Sequence, residues 1–142
     1  MFYSRYDNHG MPELRDRLKA LRDGLLRLHK SLLDSERAVY ERDVARITSA
    51  GQYLGLVLND PFFQPLRELS EFIVLIDETL DRKEEPVSEE EGRALLDQAR
   101  LLLVPAETGS GFARRYFEML QRDPATVLAH RDMLQVMNGL NG

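Results

Sequence analysis

The stretch LHKSLLDSERAVYER, residues 28–42, sets His29, Glu36 and Tyr40 along one face of a leucine-rich segment with helical spacing. A carboxylate in an apolar stripe must reach water, pair with a base, or hold its proton more tightly than usual. Arg37 and Arg42 point off that face, and His29 lies two turns away, about 10 Å along the axis at 1.5 Å per residue. The ordinary expectation is that two apolar stripes cross here, leaving the Glu36 head group in water. The functional alternative is a buried Glu36 bonded to Tyr40 of another helix or to an arginine from a partner.

Other polar groups invite similar questions. Asp77 follows the apolar run FIVLI, where it sits either at an edge facing water or in a partly buried ion pair with an arginine of the first helix. The segment TGSGFARRY, residues 108–116, is the one anion-binding candidate. Free amides at the helix start after Ser110 and Gly111, with Arg114 and Arg115, could meet an anion there. It falls short of a P-loop, with no lysine in the required place and no preceding strand. His130, between Val127 and Leu134, is expected to be a hydrogen-bonded core or boundary histidine, because no nucleophile is spaced to complete a catalytic set. No metal centre and no cofactor is expected: Glu-x-x-His and His-Glu-x-x-His are absent, there is no cysteine, and the histidines are His9, His29 and His130.

These side chains have to be carried by helices. Leu14, Leu18, Leu21, Leu25, Leu28 and Leu32 step by fours and threes after Pro12, which suits a helix's first turn. The narrow seam is interrupted only by Gly24, which costs about 1 kcal/mol relative to alanine. A second stripe continues through Leu33, Glu36, Tyr40, Val44, Ile47, Gly51, Leu54 and Leu58. A helix unbroken from Pro12 to Ala50 would reach about 58 Å, so a break or bend is expected near Gly51, with a short helix on to Leu58. Gly51 and Gly55, four apart, would let another helix approach closely. Asp60 is expected to cap a helix from Pro61 to Leu80 with Leu66, Leu69, Ile73, Ile76 and Leu80 inward, widened by Phe72 and Leu75. Ser88 and Glu91 form a capping-box signature, opening a helix that buries Leu95, Leu96, Ala99, Leu102 and Leu103 before Pro105. Phe112, Tyr116, Phe117 and Leu120 define the next helix. Asp123 and Pro124 start the last one, with Val127, Leu128, Leu134 and Met137 inward.

The fold class is therefore all-α: a helical bundle of about four main helices plus short helices, with a long first helix. Residues 1–11 are expected to be a loose arm, 12–138 one domain, and 139–142 a frayed tail. The net charge of −5 argues against a nucleic-acid binder. The charge is uneven: residues 13–49 carry a net +2 and residues 60–107 a net −8, which could steer one copy towards another or simply be solvated surface. No apolar run is long enough to span a membrane. The absence of cysteine fits a reducing cytoplasm, and sixteen arginines against three lysines hint at a bacterial source. The leading expectation is a cytoplasmic, non-enzymatic bundle acting through protein–protein interaction, as a homodimer or with another protein, because a long leucine seam needs covering. The alternative is a small-molecule or anion-binding bundle, or an enzyme, with a pocket near Glu36 and Tyr40 or the 108–115 loop.

Overall fold

A computed structural model describes residues 13–140; the N-terminal arm, His9 and Pro12 lie outside them, as do residues 141 and 142. Six α-helices and one 3-10 turn account for the secondary structure, and the described residues contain no strand. The spine is α1, Leu14–Asp43, about 45 Å long at 1.5 Å per residue. Its leucine seam is the core of the molecule: Leu18, Leu21, Leu25, Leu28 and Leu32 are all buried. Each such side chain contributes about 2 kcal/mol of hydrophobic stabilisation.

The seam is covered within the chain. Helices α3, Arg67–Asp81, and α6, Pro124–Gly139, flank α1, and α4, Glu89–Leu102, packs against it less extensively. From Leu18 to Leu32 the seam is covered within the chain, contrary to the expectation drawn from its length, and only Leu14 at its start is partly exposed. Gly24 has a positive use that propensity alone does not show. A methyl group there would stand 2.9 Å from Met133 Sδ, so the glycine lets α6 come close to the spine.

The first helix stops earlier than its stripe suggests. After Asp43 the chain is irregular until Ser49, whose hydroxyl accepts from Gln52 N at 3.1 Å and caps α2, Ala50–Asn59. Gln52 Oε1 reciprocates by accepting from Thr48 N at 2.7 Å. The break therefore lies at residues 44–49 rather than at Gly51, because the cap satisfies amides that a continuous helix would use internally. Ile47 turns back into a second, smaller core with Tyr40 and Phe63, against which Tyr53, Leu56, Val57 and Phe62 pack. Val44, Leu54 and Leu58, assigned by spacing to the same stripe, are exposed.

The helix expected from Pro61 also begins later. Asp60 Oδ1 accepts from Phe62 N at 2.9 Å, a 3-10 turn covers Gln64–Leu66, and α3 follows at Arg67. Pro65 explains the delay: it has no N–H for the Pro61 carbonyl and disfavours an α conformation at Gln64. From there the expected inner face holds, with Leu66, Leu69, Phe72, Ile73, Ile76 and Leu80 buried, whereas Leu75 is exposed. The Ser88–Glu91 capping box forms in full at the start of α4.

Helix α5, Gly111–Arg122, ends at Asp123, and the same residue caps α6 by accepting from Ala125 N at 3.0 Å. One residue thus serves two helices, making a tight corner. It also fixes the rotation of α6: Thr126, Met133 and Met137 are buried, whereas Val127, Leu128 and Leu134, expected inward, face outward. The helix runs on through Asn138 and Gly139, and Leu140 packs against the main core.

Candidate functional site

The α1 spine carries one carboxylate into the interior. Glu36 is 0% exposed, so its expected position at a hydrated boundary is corrected: the carboxylate lies fully inside. Its partners are two arginines of the same chain. Arg115 Nε donates to Oε2 at 2.6 Å, and Arg122 Nη2 donates to Oε1 at 2.8 Å and to Ser35 Oγ at 3.0 Å. The arginine side chains keep 24% and 30% of their surface exposed. Arg115 and Arg122 are seven apart and so project from one face of α5, the face that also carries Phe112 and Met119. The α5–α6 corner at Asp123 sets Arg122 at the end of that face.

Both carboxylate oxygens are thus engaged by cations. The carboxylate also has no exposed surface from which to reach a substrate proton, which general-base work would require. One negative and two positive groups leave the cluster with a formal +1. The Arg115 guanidinium also lies 4.9 Å from the centre of the Phe62 ring, a cation–π contact that joins the cluster to the smaller core. Tyr40 belongs to that core rather than to the carboxylate. Its ring is 5.3 Å from Phe62 and 5.6 Å from Phe63.

The other polar candidates sit apart. Asp77 is half-exposed on α3 and bonds Arg22 Nη1 of α1 at 3.1 Å, which gives it the edge position and the ion pair together. His130 Nδ1 lies 2.5 Å from the Tyr116 hydroxyl. Burial raises the Tyr116 pKa and lowers that of His130, so both shifts favour the neutral forms, and the two groups share one hydrogen bond. Phe112 stacks on Tyr116 with 5.1 Å between ring centres, closing that side. His29 is half-buried, and burial lowers its pKa too.

At residues 108–115 the two arginines of the anion-binding candidate take different partners. Ser110 and Gly111 do stand at the start of α5, with φ of +79° at Gly111. Arg114 instead bonds the Glu107 carbonyl and pairs with Glu118 at 3.4 Å, and Arg115 turns inward to Glu36. Helical geometry separates them: consecutive side chains point about 100° apart, and Arg115 lies on the face turned to Glu36.

Glu36 and Arg115 were thus legible as separate candidates and form one cluster, whereas Tyr40, Asp77 and His130 each belong to a different contact. Arg122 and Ser35 complete the cluster without having been marked out by sequence. A signal for Arg122 did exist, since it is a second charge on the apolar seam of α5. Among the described residues no three His, Asp or Glu side chains are grouped to hold a metal ion. Among the described residues no helix is long and apolar enough to cross a membrane. No known protein family, curated protein or solved structure matches the chain.

Proposed function

We propose that this protein acts by protein–protein interaction as a homodimer, joined through the outward face of α2. The observation that carries the reading is an apolar helix face with no cover. Leu54 and Leu58 of α2 are 58% and 57% exposed, and methyl groups built on Gly51 and Gly55 would touch nothing within 4 Å. Positions 51, 54, 55 and 58 follow helical spacing, so they form one strip, notched by the two glycines where a second helix could come close. Inward, Tyr53, Leu56 and Val57 tie α2 to the small core.

A second copy is the occupant that the charge pattern favours. In a two-fold contact residue i of one copy meets residue j of the other and j meets i, so an uncharged face meets an equally uncharged face and buries no charge without a partner. The ten residues of α2, AGQYLGLVLN, include no charged side chain, and each of the other five described α-helices carries at least two. The face is small, about 15 Å long, with exposed Val44 as another apolar residue outside α2. That area belongs with weak, reversible interfaces. The reading takes the protein to be cytoplasmic, in keeping with its lack of cysteine. A catalytic pocket around Glu36 and Tyr40 is disfavoured, because the carboxylate is buried and bonded to two arginines of its own chain.

Sedimentation of the full chain from about 1 to 300 μM, a range suited to weak interfaces, tests the proposal. Reversible dimerisation is expected, and Leu54→Glu with Leu58→Glu should abolish it with helix content unchanged. A wild-type chain that stays monomeric throughout, or a double variant that dimerises as well as wild type, overturns the reading.

A further inference from the structure

At the opposite end of α1 from the Glu36 cluster, a cleft of about 200 Å³ opens between the start of the spine, α4 and the end of α6. We propose that it binds a short-chain amphipathic monocarboxylate. The walls are of two kinds. Leu14, Leu18, Leu21, Leu96 and Leu140 supply an apolar surface. Arg17, Arg93 and Arg100, with Glu89 and Asp97, supply the charge, a formal +1 in a chain whose net charge is −5. A cleft lined this way selects a ligand with one negative charge and an apolar body.

The state of Arg17 sharpens the assignment. Its Nη2 is used by Glu89, at 3.0 and 3.3 Å from the two oxygens. Its Nε is buried and has no hydrogen-bond partner among the described residues. A buried N–H on a guanidinium is a costly group to leave unmatched, and its natural complement is a carboxylate oxygen. Arg100 is already committed, to Asp97 at 3.4 Å and to the Met137 carbonyl at 3.3 Å. Arg93, exposed at the rim, adds long-range attraction rather than a buried bond.

Size and chemistry then limit the ligand. At about 30 Å³ per water molecule, the cleft has room for roughly six or seven waters, which matches a carboxylate bearing about four to six carbons. A dianion such as phosphate would exceed the local +1 and leave the leucines unused, and a neutral alcohol would leave the Arg17 Nε–H with a weaker acceptor. The depth of the cleft depends on Gly92, where a methyl would stand 2.4 Å from Leu14 Cδ1.

The test is titration of the full chain with hexanoate, followed by amide NMR shifts and by melting temperature. Hexanoate is expected to bind with a dissociation constant below about 1 mM, shifting the amides of Arg17, Gly92 and Leu96 together. Hexan-1-ol and inorganic phosphate should each bind at least about tenfold more weakly. Arg17→Lys keeps the charge beside Glu89 and removes Nε, and should weaken hexanoate about tenfold. Arg93→Gln, a surface change that leaves the fold intact, should weaken it about twofold to threefold and keeps the proposal testable if Arg17→Lys does not fold. No binding by about 10 mM overturns the proposal. Equal binding of hexanoate and hexan-1-ol, or Arg17→Lys and Arg93→Gln both binding as wild type does, overturns it as well.

Discussion

Glu36, Arg115 and Arg122 form a unit whose members are worth little singly and much together. A carboxylate with no exposed surface and two guanidinium donors is stable only while the donors remain. Replacing Arg115 and Arg122 by leucine together should cost about 3–5 kcal/mol in guanidinium unfolding at neutral pH, because the charge left behind is buried and unpaired. Adding Glu36→Leu to that pair should restore most of the loss, since it removes the stranded charge. A hydrated Glu36 would instead make the double replacement cost less than about 1 kcal/mol, so the two measurements decide the point. The sequence exposed half of this arrangement. Glu36 stands out as a charge in the seam of one helix, and Arg115 and Arg122 are charges in the seam of another, seven residues apart on the face of Phe112 and Met119. Each is a defect when its own helix is read alone. Their complementarity spans 79 and 86 residues of chain, and helical periodicity carries no information about which seam faces which.

At the scale of elements, caps were better guides than stripes. The Ser88–Glu91 box and the Asp123–Pro124 start both form as their residue types demand. The same grammar, Ser49-x-x-Gln52, marks the start of α2, but the apolar stripe running through it suggested a later break. Stripes mislead wherever a helix is apolar on more than one side. In α6 the set Val127, Leu128 and Leu134 competes with Thr126, Met133 and Met137, and only the corner at Asp123, with the space left by Gly24, selects the second. If the cap is what restarts the chain, Ser49→Ala should weaken α2 by about 1 kcal/mol. The loss should be local, because α2 rests on the small core and not on the leucine seam. Amide exchange in residues 53–58 should speed up about fivefold, while exchange in α1 and the melting of the bundle hardly change. A matching acceleration along α1 would mean that the two helices unfold as one unit and that the break is a bend, not a boundary.

For the whole molecule, the uneven charge has a use inside the chain. The basic first segment meets the acidic middle segment through Arg17–Glu89 and Arg22–Asp77, which leaves less of that contrast to draw two copies together. Two ways of dimerising then respond oppositely to salt. Docking of a basic helix on another copy's acidic segment would be attractive at long range and would weaken as the Debye length shrinks, from about 10 Å at 0.1 M to about 3 Å at 1 M. Contact through the uncharged face of α2 has no charge attraction to lose. Its opposing term is the repulsion between two copies of net charge −5, which salt reduces. The dimer dissociation constant should therefore hold steady within about twofold, or fall, between about 50 mM and 500 mM salt. A single charge placed on the strip, as in Leu54→Glu, should weaken the dimer strongly at low salt and be only partly rescued at high salt, because desolvation of the new carboxylate persists when its repulsion is screened. A wild-type dimer that weakens about tenfold or more over that range would assign the contact to the charged segments and remove α2 from it.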